Sequence, residues 1–472
     1  MKNTLRHPMR TFAGVTLALV LAGCITAPKI DASLLPAAPA QFKEGDGRWT
    51  LAAPADNQPR GDWWKAFSDP ALDRLIERAD QNNASIRIAA ARLEQARALV
   101  RSARADQLPQ LGVEAGVSRA GGIVNGVGGP ARSLGAAGAN LGYELDLFGK
   151  LSRTTDAARL DARAREGLLQ SARLLVQAEV AQAYLALRAL DVERALVRST
   201  VTAYQETLNL TERRFRAGDV AELDVSRART EVAATESEAL ALDRRRAELE
   251  HALAVLAGEV SSGFDVPVAE WNTALPIIPA GVPSTVLTRR PDVSAAQSSM
   301  LAAQTRVGVA KAAWFPDVAL TATGGFASPQ LGDIFRWSAR AWGVGALLAL
   351  PIFDGGRREA NIRRSGAQLD EAVAQYREQV LVAFRDVEDQ LSSLRLLAEQ
   401  SDAQSRAVAS ASRTTSLSDA RYRNGLVSQL DLLDARRSEL RNRRQALQVR
   451  SAQYQATVGL VRALGGGWGE RS

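Results

Sequence analysis

The chain has very few of the side chains on which metal sites, disulfides and most active sites depend. It has one cysteine, Cys24, and two histidines, of which only His251 lies outside the N-terminal segment. These numbers exclude an internal disulfide and a metal-ligand cluster. A Gly-x-x-x-x-Gly-Lys-Ser/Thr loop is missing, although Gly149-Lys150 superficially suggests one. We therefore expect no enzyme, no cofactor and no metal, and the energy for any transport must come from a partner.

Aromatic residues and long apolar runs are also scarce. Aromatics make up 5% of the chain, and Ala, Arg, Gln, Glu and Leu dominate long stretches, which favours long helices over a thick globular core. After residue 24, no stretch approaches the roughly 18 apolar residues of a transmembrane helix. The formal charge is +7, and +7 − 3 = +4 without Lys2, Arg6 and Arg10. Arginines mixed with acidic residues indicate solvated helix faces and no nucleic-acid surface.

The N-terminus carries an export signal. A basic start is followed by the apolar segment 11–21 and then by Leu21-Ala22-Gly23-Cys24. This sequence looks like the lipobox of bacterial lipoproteins, in which Cys24 is lipidated and becomes the mature N-terminus. Ile25 follows and not aspartate, which by the sorting rule of this class predicts the outer membrane. The alternative is a buried or free cysteine at the end of an uncleaved anchor.

The second half of the chain repeats the first at a constant offset. Residues 214–225 (RFRAGDVAELDV) align with residues 421–432 (RYRNGLVSQLDL), and the offset is 421 − 214 = 207. The same offset pairs Gly149 with Gly356 and Gly258 with Gly465. A repeat of this length is far beyond the usual solenoid period of about 20–50 residues. A whole structural unit has therefore been duplicated.

Each repeat predicts a helix, two strands, a long helix and a returning helix. The strands alternate apolar and polar residues with a Gly-rich loop at about 120–132 between the first two, and one apolar seam of the first long helix keeps a heptad spacing. The matching seam of the second is more polar (Gln390, Ser401, Gln404, Ser418), which suits a face turned towards water. The predicted boundaries are a signal peptide at 1–23, an N-terminal arm and equatorial segment at 24–82, repeat one at 83–258, a linker at 259–289, repeat two at 290–465 and a tail at 466–472. Within the repeats we expect hairpins at 109–148 and 316–353, long helices at 150–216 and 357–423, and returning helices at 222–257 and 429–464.

The strands predict an assembly of several chains. Each is long enough to cross a bilayer at a tilt, for which about 9–11 residues suffice. Four strands cannot close, and lipid does not tolerate an open sheet edge. A trimer would supply twelve strands around a water-filled lumen. The polar residues expected to face that lumen are Glu114, Glu144, Asp146 and Asp317.

These features together resemble the TolC-like outer-membrane efflux proteins, in particular the lipoprotein (OprM/NodT-like) branch that serves resistance-nodulation-division pumps. The motifs that carry the resemblance are segments 62–64 (DWW), 143–150 (YELDLFGK), 290–293 (RPDV), 351–356 (PIFDGG) and 463–468 (ALGGGW), with the two Arg-aromatic turns and the lipobox. The resemblance implies an α+β membrane protein. It is a homotrimer with a 12-stranded β-barrel, four strands per chain, continuous with a long helical coiled-coil barrel in the periplasm.

The resemblance also implies partners and sites. The partners are a periplasmic adaptor (membrane fusion) protein, an inner-membrane pump and outer-membrane lipid held through Cys24. The adaptor-docking tip maps onto Arg214, Phe215, Gly218, Val220, Arg421, Tyr422, Gly425 and Val427. The closed-state gate maps onto Tyr422, Leu430, Asp434 and Arg437. The last three step by 4 and 3 and share a helix face, which can form a constriction around a three-fold axis. The alternative for Asp434 and Arg437 is a surface salt bridge within one helix pair. Asp191 is near but not at the position of an additional gate carboxylate.

Three functions follow from these patterns. The first is a passive exit duct for drugs or other small solutes in a tripartite efflux pump. The second is a duct of the same build for type I protein secretion or heavy-metal export. The third is a structural periplasmic coiled-coil lipoprotein, against which the alternating hairpins argue because a spacer has no use for strands.

Overall fold

The computed structural model describes parts of residues 28–44 (28, 30, 31, 33, 35–37, 39 and 41–44) and the ranges 61–124, 127–278 and 289–466. Cys24 and the end of the 463–468 motif lie outside these ranges. Helix α1 (Pro70–Asn82) precedes repeat one, which contains α2 (Ala84–Ala105), β1 (Gln110–Val124), β2 (Val127–Leu145), α3 (Lys150–Arg216) and α4 (Glu222–Leu256). Repeat two contains α5 (Pro291–Ala312), β3 (Asp317–Ser328), β4 (Arg340–Ala349), α6 (Arg357–Arg423) and α7 (Gln429–Ala463).

The described residues divide into two compact units. Unit one takes its residues from 1–36, 92–166 and 295–378, and unit two takes its residues from 37–91, 167–294 and 379–472. Unit one contains all four strands, and unit two contains most of α3, α4, α6 and α7. Within the described ranges, no helix is both long enough and apolar enough to cross a membrane.

The four strands of unit one form a single antiparallel sheet in the order β1-β2-β3-β4. The two hairpins therefore join through the pairing of β2 with β3, with Leu141 opposite Ala322. One prediction here is wrong: most of the expected loop at 120–132 is strand, because β1 continues to Val124 and β2 begins at Val127. Glycine weakens a strand but does not prevent ladder pairing, and the register shifts only between Ala120 and Gly122.

The sheet has one apolar face and one small, polar face. Rows that cross all four strands show the difference. One row contains Leu111, Leu141, Ala322 and Val344, and the neighbouring row contains Gly112, Asn140, Thr323 and Gly343. Glu114, Glu144 and Asp317 belong to the polar face by strand alternation. Large side chains on the apolar face are exposed in the single chain, among them Val113, Trp342 and Val344.

In unit two, the start of each repeat contacts the end of the last helix of that repeat in the same way. The side chain of Asn83 donates to the carbonyl of Leu256 at 2.9 Å, and Arg290, at 83 + 207, donates to the carbonyl of Ala463 at 3.3 Å, where 256 + 207 = 463. Gly258 has φ +74, and a Cβ there would lie 2.5 Å from the carbonyl oxygen of Asn82. Gly465 has φ +88 and the same relation to Arg289 at 2.7 Å. The duplication seen in the sequence is thus repeated in packing.

The heptad seam of α3 lies in the core of unit two. Val180, Leu187, Val197 and Tyr204 are all buried. The more polar seam of α6 was expected to face water, and this expectation is wrong for Gln404. Its amide is part-buried and donates to the backbone carbonyl of Asn442 on α7 at 2.9 Å. Polar side chains in this part of the seam therefore find hydrogen-bond partners across the helix pair.

Candidate functional site: the two turns and the start of α7

The two long helices end in the same turn. Gly218 and Gly425 have φ of +81 and +72, a left-handed conformation that glycine adopts without steric cost. In the first turn, Gly218 N–H donates to the carbonyl of Phe215 and Asp219 N–H to that of Arg214, at 3.0 and 2.9 Å. The second turn has the same two bonds, from Gly425 to Tyr422 and from Leu426 to Arg421, at 3.0 and 2.8 Å. This six-to-one pattern ends the helix and reverses the chain.

The turns differ in how the returning helix begins. Ser428 and Asp431 form a capping box at the start of α7, with Asp431 N–H donating to Ser428 Oγ at 3.3 Å and Ser428 N–H donating to Asp431 Oδ2 at 3.0 Å. The equivalent residue in repeat one, Ala221, makes no side-chain cap. The second turn is therefore more firmly tied to its returning helix.

Of the predicted docking residues Tyr422 is buried, and the others are exposed or half-buried. Phe215 is 43% exposed, and the glycines and Arg421 are also exposed. Arg214, Val220 and Val427 are half-buried. Two apolar side chains that the prediction omitted, Leu223 and Leu426, are more exposed than Phe215. The turns thus present apolar side chains to their surroundings, which is the character of an interaction surface.

Arg214 connects the two turns. Its guanidinium lies 4.9 Å from the centre of the Tyr422 ring. It also donates to the backbone carbonyls of Tyr422 and Arg423 at 3.4 and 3.3 Å. A cation at the C-terminal end of a helix satisfies its last carbonyls and its dipole. Arg214 of α3 therefore caps α6.

Tyr422 is a buried residue in this chain. It is 3% exposed, and its hydroxyl lies 3.2 Å from Thr211 Oγ1, which also accepts from Gln429 at 3.2 Å. Tyr422, one of the predicted gate residues, thus joins α6 to α3 and does not line an open surface.

The other three predicted gate residues are exposed on α7. Leu430 and Asp434 are exposed, and Asp434 has no hydrogen bond or ion pair among the described residues. Arg437 Nε donates to Glu231 on α4 at 3.0 Å, and its Nη2 contacts the other oxygen of that carboxylate. The structure thus pairs Arg437 with repeat one and not with Asp434.

Arg436, which the sequence analysis did not single out, joins three helices in this region. Its side chain donates to the carbonyl of Ala203 at 2.8 Å and to Thr207 Oγ1 on α3, and to Asp419 on α6 at 2.8 Å. The repeat offered a signal for it: Arg229 and Glu212, each 207 residues earlier than Arg436 and Asp419, form the same ion pair at 2.8 Å.

Asp191 lies in a buried ion network away from these turns. It contacts Arg188, Arg194 and Arg246 at 3.4, 3.2 and 2.8 Å, and its side chain is almost fully buried. The side chain of Arg188 is also buried, and its Nε donates to the hydroxyl of Tyr184 at 3.0 Å. Burial, with a smaller contribution from the Asp69 carboxylate, raises the pKa of Tyr184 to about 12. This cluster connects α3 with α4 inside unit two.

A family model described as "Outer membrane efflux protein" matches residues 75–259 and 282–466. The chain belongs to the outer membrane efflux protein family. The two matches are offset by 282 − 75 = 207, so each repeat carries the family pattern. The predicted resemblance is confirmed, and with it the expectation of an efflux channel and not an enzyme.

Individual relatives agree with this family over nearly the whole chain. The antibiotic efflux pump outer membrane protein ArpC of Pseudomonas putida is 34% identical over 461 residues, covering 96% of this chain and 95% of the relative. The cation efflux system protein CusC of Escherichia coli is 31% identical over 453 residues, covering 96% and 97%. The solved structure of the outer-membrane channel OprN has a TM-score of 0.86 at 31% identity, covering 94% of this chain and all of that one. The chain therefore has the fold of an outer-membrane efflux channel.

Proposed function

We propose that this chain is the passive exit duct of a tripartite efflux pump and assembles as a homotrimer in the bacterial outer membrane. The observation that carries the proposal is the two-faced sheet with free edges at β1 and β4. Its apolar face suits lipid, and its small, polar face suits a water-filled lumen. Three copies joined edge to edge make a closed barrel of twelve strands, which removes the unpaired backbone groups that lipid does not tolerate.

The exposed apolar residues at the two turns suit a protein partner. Phe215, Leu223 and Leu426 surround glycine turns that expose their backbone, and such a surface fits the helical hairpin ends of a periplasmic adaptor. An inner-membrane pump of the resistance-nodulation-division class then drives export through the adaptor. We assign the docking tip to Arg214, Phe215, Gly218, Val220, Arg421, Tyr422, Gly425 and Val427.

The start of α7 supplies the gate of the proposed duct. Leu430, Asp434 and Arg437 lie on one exposed face, while Tyr422 fixes the neighbouring end of α6 to α3. Three copies of this face around an axis form an apolar ring and a ring of charges. Asp434, which has no ion pair among the described residues, is the group with charge to offer a neighbouring copy.

Lipidation of Cys24 adds a second attachment to the outer membrane. The lipobox at residues 21–24 predicts this modification. Several acyl chains on one cysteine hold a protein stably at a bilayer surface. Metabolic labelling with a palmitate analogue tests this attachment. We expect label on the wild type and none on Cys24→Ser.

Affinity purification of the tagged chain from outer membranes of its own host tests the partners. We expect a trimer that co-purifies with one adaptor and one pump. Phe215→Ser with Leu426→Ser is expected to lose the adaptor while the trimer persists. Recovery of the trimer without any adaptor or pump from crosslinked cells contradicts the tripartite assignment.

Cation export is the second candidate, and the 31% identity to the cation efflux system protein CusC favours it. Deletion of the chain separates the two. Higher accumulation of a fluorescent dye such as ethidium indicates solute export, whereas selective sensitivity to heavy-metal salts indicates cation export.

A further inference from the structure

A polar groove runs along unit two where α3, α4 and α7 meet. Six residues carry its chemistry, and we name it the α4–α7 groove: Tyr204, Glu231, Glu238, Arg437, Arg441 and Arg444. Its volume is about 480 Å³. Small-molecule sites in proteins commonly have volumes of about 300–1,000 Å³.

Tyr204 forms the buried end of the groove. Its side chain is 2% exposed and packs against Leu208, Val225 and Val232, yet its hydroxyl has no hydrogen-bond partner among the described residues. Burial, followed by the nearby Glu231 carboxylate, raises the pKa of Tyr204 to about 12. The phenol is therefore neutral at physiological pH and has an O–H to donate. A buried hydroxyl without a partner is costly, so a ligand acceptor that reaches it from the groove would relieve that cost.

The walls of the groove contain three arginines, and two of them are paired with carboxylates. Arg437 is paired with Glu231, and Arg444 contacts Glu193 at 2.7 Å and Glu238 at 3.2 Å. Arg441 is exposed and has no hydrogen bond or ion pair among the described residues. Its guanidinium is thus available to an anion.

The groove continues the face of α7 that holds the proposed gate. Leu430, Asp434 and Arg437 step by 4 and 3, and Arg441 and Arg444 continue with the same steps of 4 and 3. Residues at this spacing lie along one helix face. If that face lines the lumen, as the proposed function requires, the groove opens into the duct directly behind the gate.

We propose that the α4–α7 groove binds a small oxyanion, a carboxylate or a phosphate. Arg441 supplies the charge-assisted hydrogen bond and Tyr204 donates its hydroxyl. The placement of this site inside the duct rests on the proposed function, whereas the binding itself does not.

Titration calorimetry on the detergent-solubilised full-length trimer tests the site, with citrate and inorganic phosphate as separate probes. Tyr204→Phe removes only the hydroxyl and is expected to weaken binding about 3- to 10-fold, the size of one hydrogen bond. Arg441→Gln removes the free cation and is expected to weaken binding about 10-fold or more. Two matched controls, Tyr376→Phe on α6 and Arg413→Gln on the exposed surface of α6, are expected to bind as the wild type.

The two probes distinguish the source of the anion. Binding of citrate alone indicates carboxylated solutes, and binding of both indicates oxyanions in general. Wild-type protein that binds neither probe overturns the proposal, as do Tyr204→Phe and Arg441→Gln variants that both bind as the wild type. Ion current through the same trimer in a planar bilayer is measured in parallel. A conducting trimer without anion binding removes this inference alone, and a trimer that binds but does not conduct removes the proposed function.

Discussion

The guanidinium of Arg214 lies over the ring of Tyr422 at 4.9 Å and caps α6, the helix that contains Tyr422 in its last turn. This contact joins the last turns of the two long helices, one from each repeat. The pseudo-equivalent of Arg214 in repeat two, Arg421, is exposed and has no such contact among the described residues. The duplicated turns are therefore asymmetric, and α6 is held to α3 by a residue of repeat one.

Replacement of Arg214 is expected to loosen the proposed gate. Arg214→Ala removes a cation–π contact and two weak hydrogen bonds, about 1–2 kcal/mol together. That loss raises the open population of the channel about 5- to 30-fold. Single-channel recording without adaptor measures it, with Arg421→Ala as the matched control. Equal effects of the two variants would show that the turn's charge, and not the contact with Tyr422, is what matters.

The pair between Arg437 and Glu231 gives a double-mutant cycle. If the pair holds α7 against α4, Arg437→Ala and Glu231→Ala each raise conductance modestly, about 2- to 5-fold, because the pair is partly exposed. The double variant then opens no further than either single variant. Additive effects mean that Arg437 acts through another residue.

Asp434 is tested separately, because it has no partner within the described chain. Asp434→Ala is expected to raise conductance and antibiotic leakage by removing a charge that acts between copies. Unchanged current in both Asp434→Ala and Arg437→Ala removes the gate that we assign.

Gly258 and Gly218 separate two costs of a side chain. Both have positive φ, but a Cβ at Gly258 meets the backbone of Asn82, whereas a Cβ at Gly218 meets nothing within 4 Å. Gly218→Ala is expected to cost only the left-handed conformation, about 1–2 kcal/mol. Gly258→Ala adds a backbone collision, so its melting temperature is lower than that of Gly218→Ala. Equal melting temperatures contradict the close packing of the repeat ends.

The capping box predicts a pH dependence. Hydrogen bonds from Ser428, first through its side chain and then through its backbone, hold the pKa of Asp431 below its ordinary value. The stabilisation is therefore fully present above that ordinary value and is lost as pH falls through the lower, folded-state pKa. Asp431→Asn is expected to lower the melting temperature at pH 7 and to match the wild type once the pH is well below the folded-state pKa of Asp431.

Asp224→Asn is the control for that experiment, because Ala221 gives repeat one no side-chain cap. We expect it to change the melting temperature less than Asp431→Asn at pH 7. A wild type whose advantage over Asp431→Asn persists unchanged in acid contradicts the role of the ionised carboxylate.

The sequence predicted the parts of the fold that depend on local patterns. Gly218 and Gly425 locate the turns because few other residues adopt their backbone angles, and the 207-residue offset locates the second copy of each helix. The extent of β1 and β2 was not predictable, because ladder pairing across strands outweighs the weak strand preference of glycine. Loop composition alone therefore placed the hairpin turn over too many residues.

The sequence also did not predict which side chains of the two repeats contact one another. Glu231 and Arg437 are 206 residues apart, and their pairing follows from how α4 and α7 pack. The burial of Tyr422 has the same origin, since the position of Thr211 on α3 depends on the packing of the two long helices. The pair of Arg436 with Asp419 could have been predicted, because Arg229 and Glu212 occupy the equivalent positions in repeat one.

Ion current through the purified protein in a planar lipid bilayer tests the channel most directly. We expect stepwise current from the trimer fraction, none from dissociated chains, and larger steps from Asp434→Ala. A stable trimer that inserts into the bilayer but carries no current, in the wild type and in Asp434→Ala alike, contradicts this expectation.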